Sequence, residues 1–241
     1  IIYAGAGLEV TQNDNNSHGF IMTGFPDDRY SDPAFAIQYK KETKPSSSES
    51  KSRAIGFFAN GNYSYDDRYF ADVSVRIDGS SKFGADKKYA PFWSAGIGWN
   101  IHRENFMSNV DWINRLKIRA SVGETGSNNF SAYEAMVTYT YSLSDRYYNW
   151  MGANLKALAN PDLEWQTTLD KNIGFDITIL NNRLTLTGDY YYKTTDPLLI
   201  AISMPPSSGA TDNMTYKNFG KQTSKGFTAS ATYYIIRRMS E

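Results

Sequence analysis

The chain has 241 residues with 25 basic and 25 acidic side chains, so its formal net charge is zero. This balance argues against a nucleic-acid-binding protein, which would carry a basic excess, and the absence of cysteine excludes disulfides and thiolate chemistry. No run of about 18 apolar residues occurs, which excludes a transmembrane helix. The strands of a membrane β-barrel alternate and have only modest mean hydropathy, so the composition does not exclude a membrane β-barrel.

The first 52 residues are the least regular part of the chain. The polar, turn-rich stretch Thr11–Phe20 predicts a loop, and Lys40–Ser50 has few apolar residues. We expect only weak strands near residues 1–10 and 34–40. Residues 1–52 are therefore predicted to form a poorly regular strand and loop region that precedes the strongly patterned residues 53–241.

A clear strand signal occupies the segment Tyr69–Gly79, which ends in a turn-rich run. Successive side chains of a strand point to opposite faces. One face carries Tyr69, Ala71, Val73, Val75 and Ile77, and the other carries Phe70, Asp72, Ser74, Arg76 and Asp78. Similar alternation predicts strands over 55–65, 92–101, 116–123, 172–179, 184–193 and 227–235, and one strand pair near 136–143.

The connections between these strands alternate in length. Short ones fall at Asp66–Arg68 and Asn181–Asn182, and Ile101–Leu116 is a longer member of that set in which one or two helical turns compete with a plain loop. Long ones fall at 78–90, 125–163 and 197–221. The strands run about 8 to 12 residues, longer than the usual 5 or 6 of soluble sheets. An up-and-down meander with short turns at one rim and long loops at the other is typical of outer-membrane barrels.

Aromatic residues lie at both ends of the apolar face. Tyr63, Tyr65 and Tyr69 cluster near one short turn, and Trp93 and Trp99 lie six residues apart, roughly 20 Å along a strand. That spacing is close to the height of about 25 Å between the two aromatic girdles of a membrane barrel. A soluble β-sandwich could place the same tryptophans on its inner face, so lipid and a protein core both remain open at this point.

Several ordered segments together resemble one family. They are "YSYDDRYFADVSVRIDGSSKFG", "PFWSAGIGWNI", "NFMSNVDWINRLKIRASVGETGSNN", "NPDLEWQTTLDKNIGFDITILNNRLTLTGDYYYKTTDPLL" and "SKGFTASATYY". In this order they resemble the C-terminal half of the barrel of SusC/RagA-type TonB-dependent outer-membrane transporters of Bacteroidetes. The resemblance covers about residues 53–236.

The resemblance implies an all-β fold, an antiparallel meander that forms part of a large transmembrane β-barrel of the bacterial outer membrane. Residues 53–241 would then be one partial barrel domain of about eight to ten strands with its extracellular loops. The implied partners are a SusD-like lipoprotein at the extracellular mouth, the TonB complex acting through segments absent here, outer-membrane lipid, the remainder of the barrel with its plug, and a glycan or peptide substrate. No cofactor, metal, nucleic acid or enzymatic activity is implied.

Candidate site residues fall into three groups. Polar candidates for the barrel lumen are Asp72, Arg76, Asp78, Lys117, Arg119, Asp176 and Asp189, for which a plain ion-pair ladder is the simpler interpretation. Candidates for substrate or lid contact are Tyr147, Tyr148 and Trp150 in the longest loop, because an aromatic ring can stack on a sugar; a loop that buries its own aromatic rings is the simpler interpretation. Candidates for the membrane girdles are Tyr63, Tyr65, Tyr69, Trp93 and Trp99. His18 and His102 lack any metal-ligand spacing.

Two functions remain open from the residues alone: a wall segment of an importer, and a soluble secreted all-β carbohydrate-binding or scaffold domain. Both ends of the sequence resemble the interior of a domain, so we expect a piece of a longer polypeptide. We also expect the edge strands to pair with material outside this chain, because open edges are costly in lipid and aggregate in water.

Overall fold

A computed structural model describes residues 1–235 except 30, 42, 44, 85, 86 and 129; the side chains of residues 143–147 are likewise outside the description. Fourteen strands occur in the described residues. They are β1 (Ile2–Gly19), β2 (Met22–Thr23), β3 (Gln38–Tyr39), β4 (Ser46–Tyr65), β5 (Tyr69–Ser80), β6 (Tyr89–Asn100), β7 (Ile113–Ser127), β8 (Thr138–Tyr147), β9 (Trp150–Ala157), β10 (Gln166–Ile179), β11 (Leu184–Thr195), β12 (Leu199–Ser203), β13 (Met214–Asn218) and β14 (Gln222–Tyr233).

Eight of these strands form one sheet in the order β1-β4-β5-β6-β7-β10-β11-β14. Every neighbouring pair is antiparallel, and chain order equals spatial order once the small hairpins within the long connections are left aside. The strands of this sheet are 12 to 20 residues long. The all-β meander, with short turns at one rim and long loops at the other, is therefore confirmed.

The short turns depend on residues that tolerate the left-handed backbone region. Asp66 and Asp67 have φ of 50° and 51°, and Asn181 and Asn182 have φ of 55° and 63°. Asp and Asn enter this region more readily than other non-glycine residues because their side chains hydrogen-bond locally. The third short-rim connection contains two 3₁₀ turns, Ile101–Arg103 and Asn105–Met107, where the sequence allowed short helical turns.

The prediction of a loop over Thr11–Phe20 was wrong. β1 continues to Gly19 and pairs residue by residue with β4, which begins at Ser46 inside the stretch expected to be irregular. Ladder hydrogen bonds join backbone groups and do not depend on side-chain type, so a hairpin whose two faces are both polar gives no alternation signal. The weak strand expected over 34–40 is also mostly replaced, by a 3₁₀ turn at Pro33–Phe35 and the two-residue β3.

The long connections carry small hairpins of their own. β2 pairs with β3, β8 with β9, and β12 with β13, so the strand pair expected near residues 136–143 is present as β8–β9. A further 3₁₀ turn lies at Pro206–Ser208. None of the described helices is long and apolar enough to cross a membrane.

The hydrophobic core is small and lies at the long-loop end of the sheet. Phe83, Phe92, Phe130, Leu163 and Trp165 form it. Trp165 stacks on Phe83 with ring centroids 4.4 Å apart and meets Phe92 edge-on at 5.5 Å. Phe92 belongs to β6 and the others belong to the connections and the residue before β10, so the core fixes the long connections onto one face of the sheet.

Candidate functional site

The sheet has two faces of opposite character, and the register makes each face continuous across strands. On β5, Val73 lies between Gly61 and Ala95, whereas Asp72 lies between Asn62 and Gly96. We call the side of Val73, Val75 and Ile77 the apolar face, and the side of Asp72, Arg76 and Asp78 the polar face. Because the side-chain period is two in every strand, neighbouring strands keep the two sets apart.

Arg76 organises one ion cluster on the polar face. Its Nε donates to Asp78 Oδ1 at 2.5 Å and its Nη2 to Glu9 Oε2 at 2.9 Å. Gly56 faces this cluster, and a Cβ there would lie 2.5 Å from the Asp78 carboxylate. The bare backbone of Gly56 therefore makes room for the pair, and the cluster joins β1, β4 and β5.

Arg119 organises a second ion cluster across β7, β10 and β11. Its guanidinium lies 2.9 Å from Asp189 and 3.4 Å from Asp176, and both carboxylates are only about one-fifth exposed. Gly174 leaves room here in the same way, since a Cβ would lie 2.3 Å from Asp189 Oδ1. The structure thus brings together three residues that the sequence placed only on the same kind of face.

Two of the predicted polar residues make no ion pair within the described part of the chain. Lys117 places its ammonium group 5.2 Å from the centre of the Phe70 ring, a cation–π arrangement. Asp72 lies opposite Gly96. A pair that the sequence analysis missed, Lys193 with Asp170 at 2.8 Å, lies in register between β10 and β11. The sequence signal for this pair is that both residues fall on the polar side of their alternating strands.

A recess of about 390 Å³ opens on the polar face near the long-loop end. Glu9, Arg76 and Asp78 line its sheet side, and Lys82, Asn128 and Trp165 line its loop side. The Lys82 ammonium donates to the carbonyl of Phe130 at 2.8 Å. Sequence reasoning did not find this recess, because its loop side is assembled by the aromatic core from residues far apart in the chain.

The three aromatic loop candidates lie at or beside one hairpin tip. Tyr148 is 88% exposed and Trp150 is 78% exposed, and both lie at the β8–β9 turn. The side chain of Tyr147 lies outside the described residues, although its backbone pairs with Trp150. Large aromatic rings exposed at a tip are available for contact with a ligand or a partner.

The predicted girdle aromatics share the apolar face. Tyr69 stacks on Tyr65 at 6.5 Å and on Trp99 at 6.4 Å. A carboxylate from the following short connection fixes this row, because Glu104 accepts hydrogen bonds from the Tyr69 hydroxyl at 2.7 Å and from Trp99 Nε1 at 2.9 Å. These hydrogen bonds, first that from Tyr69, hold the pKa of Glu104 below its usual range, and the Arg68 guanidinium adds to the effect.

The histidines take no part in a metal site among the described residues. His102 Nδ1 lies 3.2 Å from the carbonyl of Leu116, and His18 lies in β1 opposite Ser47. Within the same part of the chain, no three His, Asp or Glu side chains gather as metal ligands would.

The long two-faced strands, the meander order and the exposed apolar face define a stretch of transmembrane β-barrel wall. Comparison with known proteins identifies the family. A family model described as TonB dependent receptor-like, beta-barrel matches residues 3–239, so the chain belongs to that family, and its place is the bacterial outer membrane.

Individual relatives agree with this assignment. TonB-dependent receptor P3 of Formosa agariphila is 35% identical over 190 residues, which is 78% of this chain and 19% of that protein. TonB-dependent receptor SusC of Bacteroides thetaiotaomicron is 32% identical over 208 residues, which is 78% of this chain and 20% of that protein. The matched part of this chain therefore spans about a fifth of the length of these curated relatives.

Solved structures give the same fold. In the RagAB peptide importer in its closed-closed state, one chain superimposes with a TM-score of 0.83 at 27% identity, covering 98% of this chain and 26% of that one. The ferric-catecholate import receptor Fiu of E. coli superimposes with a TM-score of 0.57 at 14% identity, covering 98% of this chain and 33% of that one, and shares the fold alone.

Proposed function

We propose that this chain forms part of the wall and extracellular loops of a TonB-dependent outer-membrane importer, with its polar face bordering an aqueous lumen and its apolar face in lipid. The observation that carries the proposal is the exposure of the apolar face. Val73, Val75 and Ile97 are 54%, 53% and 67% exposed on long neighbouring strands. Lipid is the environment in which such a face is stable.

The soluble alternative, a carbohydrate-binding or scaffold sandwich, is not favoured. It requires a second sheet packed on the apolar face. Among the described residues the buried core instead includes Phe92, which lies opposite Arg76 on the polar face. The hairpins β2–β3 and β12–β13 have strands of only two and five residues. Together with β8–β9 they do not form such a layer.

The substrate class proposed is a glycan or a peptide, captured together with a SusD-like lipoprotein. Support comes from the likeness to SusC and to a chain of the RagAB peptide importer. Tyr147, Tyr148 and Trp150 are the proposed contacts for substrate or lipoprotein, because an aromatic ring stacks on sugars and anchors protein interfaces. The TonB complex would act through parts of the polypeptide outside this segment.

Adjacent residues of β5 offer a direct test of the face assignment. We would place a single spin-labelled cysteine at Ser74 or at Val75 in a complete barrel reconstituted in lipid. The Val75 label should be accessible to oxygen dissolved in the bilayer, and the Ser74 label to a water-soluble nickel chelate. Equal accessibility of both labels to the nickel chelate would overturn the proposal.

The hairpin tip is tested by Trp150→Ala and Tyr148→Ala in the complete transporter, with uptake of labelled peptides and oligosaccharides as the measurement. Loss of a stacked aromatic ring should weaken capture by about 1–3 kcal/mol, or roughly 5- to 150-fold. Trp112→Ala is the matched control, because Trp112 is 63% exposed at the short-turn end of the sheet. Equal uptake in all three variants would remove the tip from the proposed contact surface.

A further inference from the structure

The apolar face carries a shallow groove between β6 and β7. It has a volume of about 490 Å³, and the side chains that line it on this face include Ala95, Ile97, Ala120 and Val122. Large rings occur on the same face of β6 at Trp93 and Trp99, two residues beyond Ala95 and Ile97. The small side chains of Ala95 and Ala120 therefore leave a depression between the large rings of Trp93 and Trp99.

A lysine lies at the edge of this groove. Lys171 lines it, and in register Lys171 lies opposite Val122 on one side and Tyr192 on the other. Lys225 follows opposite Tyr192 on the next strand, so two outward lysines lie about 10 Å apart, two strand spacings. Both are exposed, and neither makes an ion pair within the described residues.

The contrast with the polar face is direct. Lys193 is in the residue pair next to Lys171 and Tyr192, and its ammonium group forms an ion pair with Asp170 at 2.8 Å. An unpaired cation bordering hydrocarbon is costly unless an anion meets it. Glu124 also lies on the apolar face, opposite Trp93 and Leu169. Because its negative charge repels an anion, an anionic group would approach from the side of Lys171 and Lys225.

The level of Lys171 fits a lipid headgroup, given the lipid contact of the proposed function. Lys171 is eight residues from Ile179 at the short-turn end of β10. At about 3.3 Å per residue and a tilt of 35–45°, this places Lys171 roughly 20 Å along the membrane normal, near the upper limit of an apolar band about 25 Å tall. Lysine side chains extend from such positions toward the interface.

We propose that this groove and the two lysines bind a phosphate-bearing lipid of the extracellular leaflet. One acyl chain occupies the groove over Ala95 and Ala120, and the headgroup phosphate lies against Lys171 and Lys225. The apolar length of the groove and the cationic end together select a lipid that has both parts. A free phosphate ion would use only the lysines.

The test uses the complete barrel that contains this segment, reconstituted in phosphatidylcholine nanodiscs with and without lipid A. Lipid A that remains with the protein after detergent washing is measured by mass spectrometry. Lys171→Gln combined with Lys225→Gln should lower affinity for lipid A roughly thirty-fold, because each lysine near an anionic surface contributes a factor of roughly five. Unchanged retention in this double variant would overturn the proposal.

A second pair of variants tests the groove. Ala120→Phe fills it and should reduce lipid A retention, whereas Ala59→Phe on the same face, opposite Val75, should not. Equal retention in the two variants, or displacement of lipid A by inorganic phosphate alone, would overturn the proposal. The spin label at Val75 distinguishes failure of this proposal from failure of the proposed function. If the label is in lipid while the lysine variants leave lipid A retention unchanged, only the proposed lipid site is wrong.

Discussion

Arg119 holds three strands of the polar face together, because one guanidinium neutralises two carboxylates from two other strands. In a variant Arg119→Met, Asp176 and Asp189 would be left about four-fifths buried without a counter-charge. We expect a loss of roughly 1–3 kcal/mol in barrel stability, between the values for exposed and fully buried pairs. The loss in stability is measured by unfolding in urea, monitored by the difference in gel mobility between the folded and the heat-unfolded barrel.

The control for this prediction restores the charge balance by another route. Adding Asp176→Asn and Asp189→Asn to Arg119→Met should recover most of the loss, because no uncompensated charge remains. Recovery would fail if Arg119 acted through packing of its aliphatic stem alone.

Glu104 gives the short-turn rim a pH response of defined sign. Its folded-state pKa lies below the unfolded value, mainly because the Tyr69 hydroxyl donates to it. The stabilisation is therefore fully present above about pH 4.3, the unfolded pKa, and is lost as the pH falls through the lower folded pKa. We expect the difference in Tm between wild type and Glu104→Gln to be constant near neutral pH and to shrink in acid. A difference that grows in acid would contradict this.

At the scale of the strand, glycines beside aromatic rings leave the space that those rings occupy. A Cβ on Gly126 would lie 2.1 Å from the Phe92 ring, and one on Gly7 would lie 2.5 Å from the Phe58 ring. Phe58 is 40% exposed and can turn away, whereas Phe92 is held in the loop core. Gly126→Ala should therefore destabilise by roughly 1–3 kcal/mol and expose the loops to protease, and Gly7→Ala by less. Equal losses would show that the core does not hold Phe92.

The elements that sequence analysis found are those in which one face is apolar and the other polar. β5 gave this signal over nearly its whole length and β10 gave it over residues 172–179, and the turns at Asp66–Arg68 and Asn181–Asn182 were evident from residue type. The upper hairpin, where Asn13–Asn16 pair with Glu49–Ser52, gave none because both of its faces are polar. Extended backbone pairing can continue past the membrane on ladder bonds alone.

The candidate site was predictable only where it follows strand alternation. Strand alternation predicts Arg76 and Arg119 on the polar face, but their pairing with Glu9 and Asp189 depends on register between strands far apart in sequence. The aromatic core was not found, because Phe83 and Trp165 meet only after the loops fold. A single sequence specifies faces well and long-range contacts poorly.

For the whole molecule, the decisive feature is that the sheet is open. β1 pairs only with β4 and β14 only with β11 within the described residues, so each carries a row of backbone groups without ladder partners. In lipid each such group costs several kcal/mol. The relatives are about four times as long as this chain, which is enough polypeptide to supply the neighbouring strands.

The last prediction follows from those two edges. In a complete barrel, amide hydrogens of β1 from Ile2 to Val10 and of β14 should exchange with deuterium as slowly as those of the central β5, because new neighbours close both ladders. The isolated 241-residue segment should show fast exchange on alternate residues of β1 and β14 and should aggregate when detergent is removed. Hydrogen–deuterium exchange with mass spectrometry on both preparations measures this. Fast exchange of β14 in the complete barrel would mean that it remains an edge there, contrary to a closed wall.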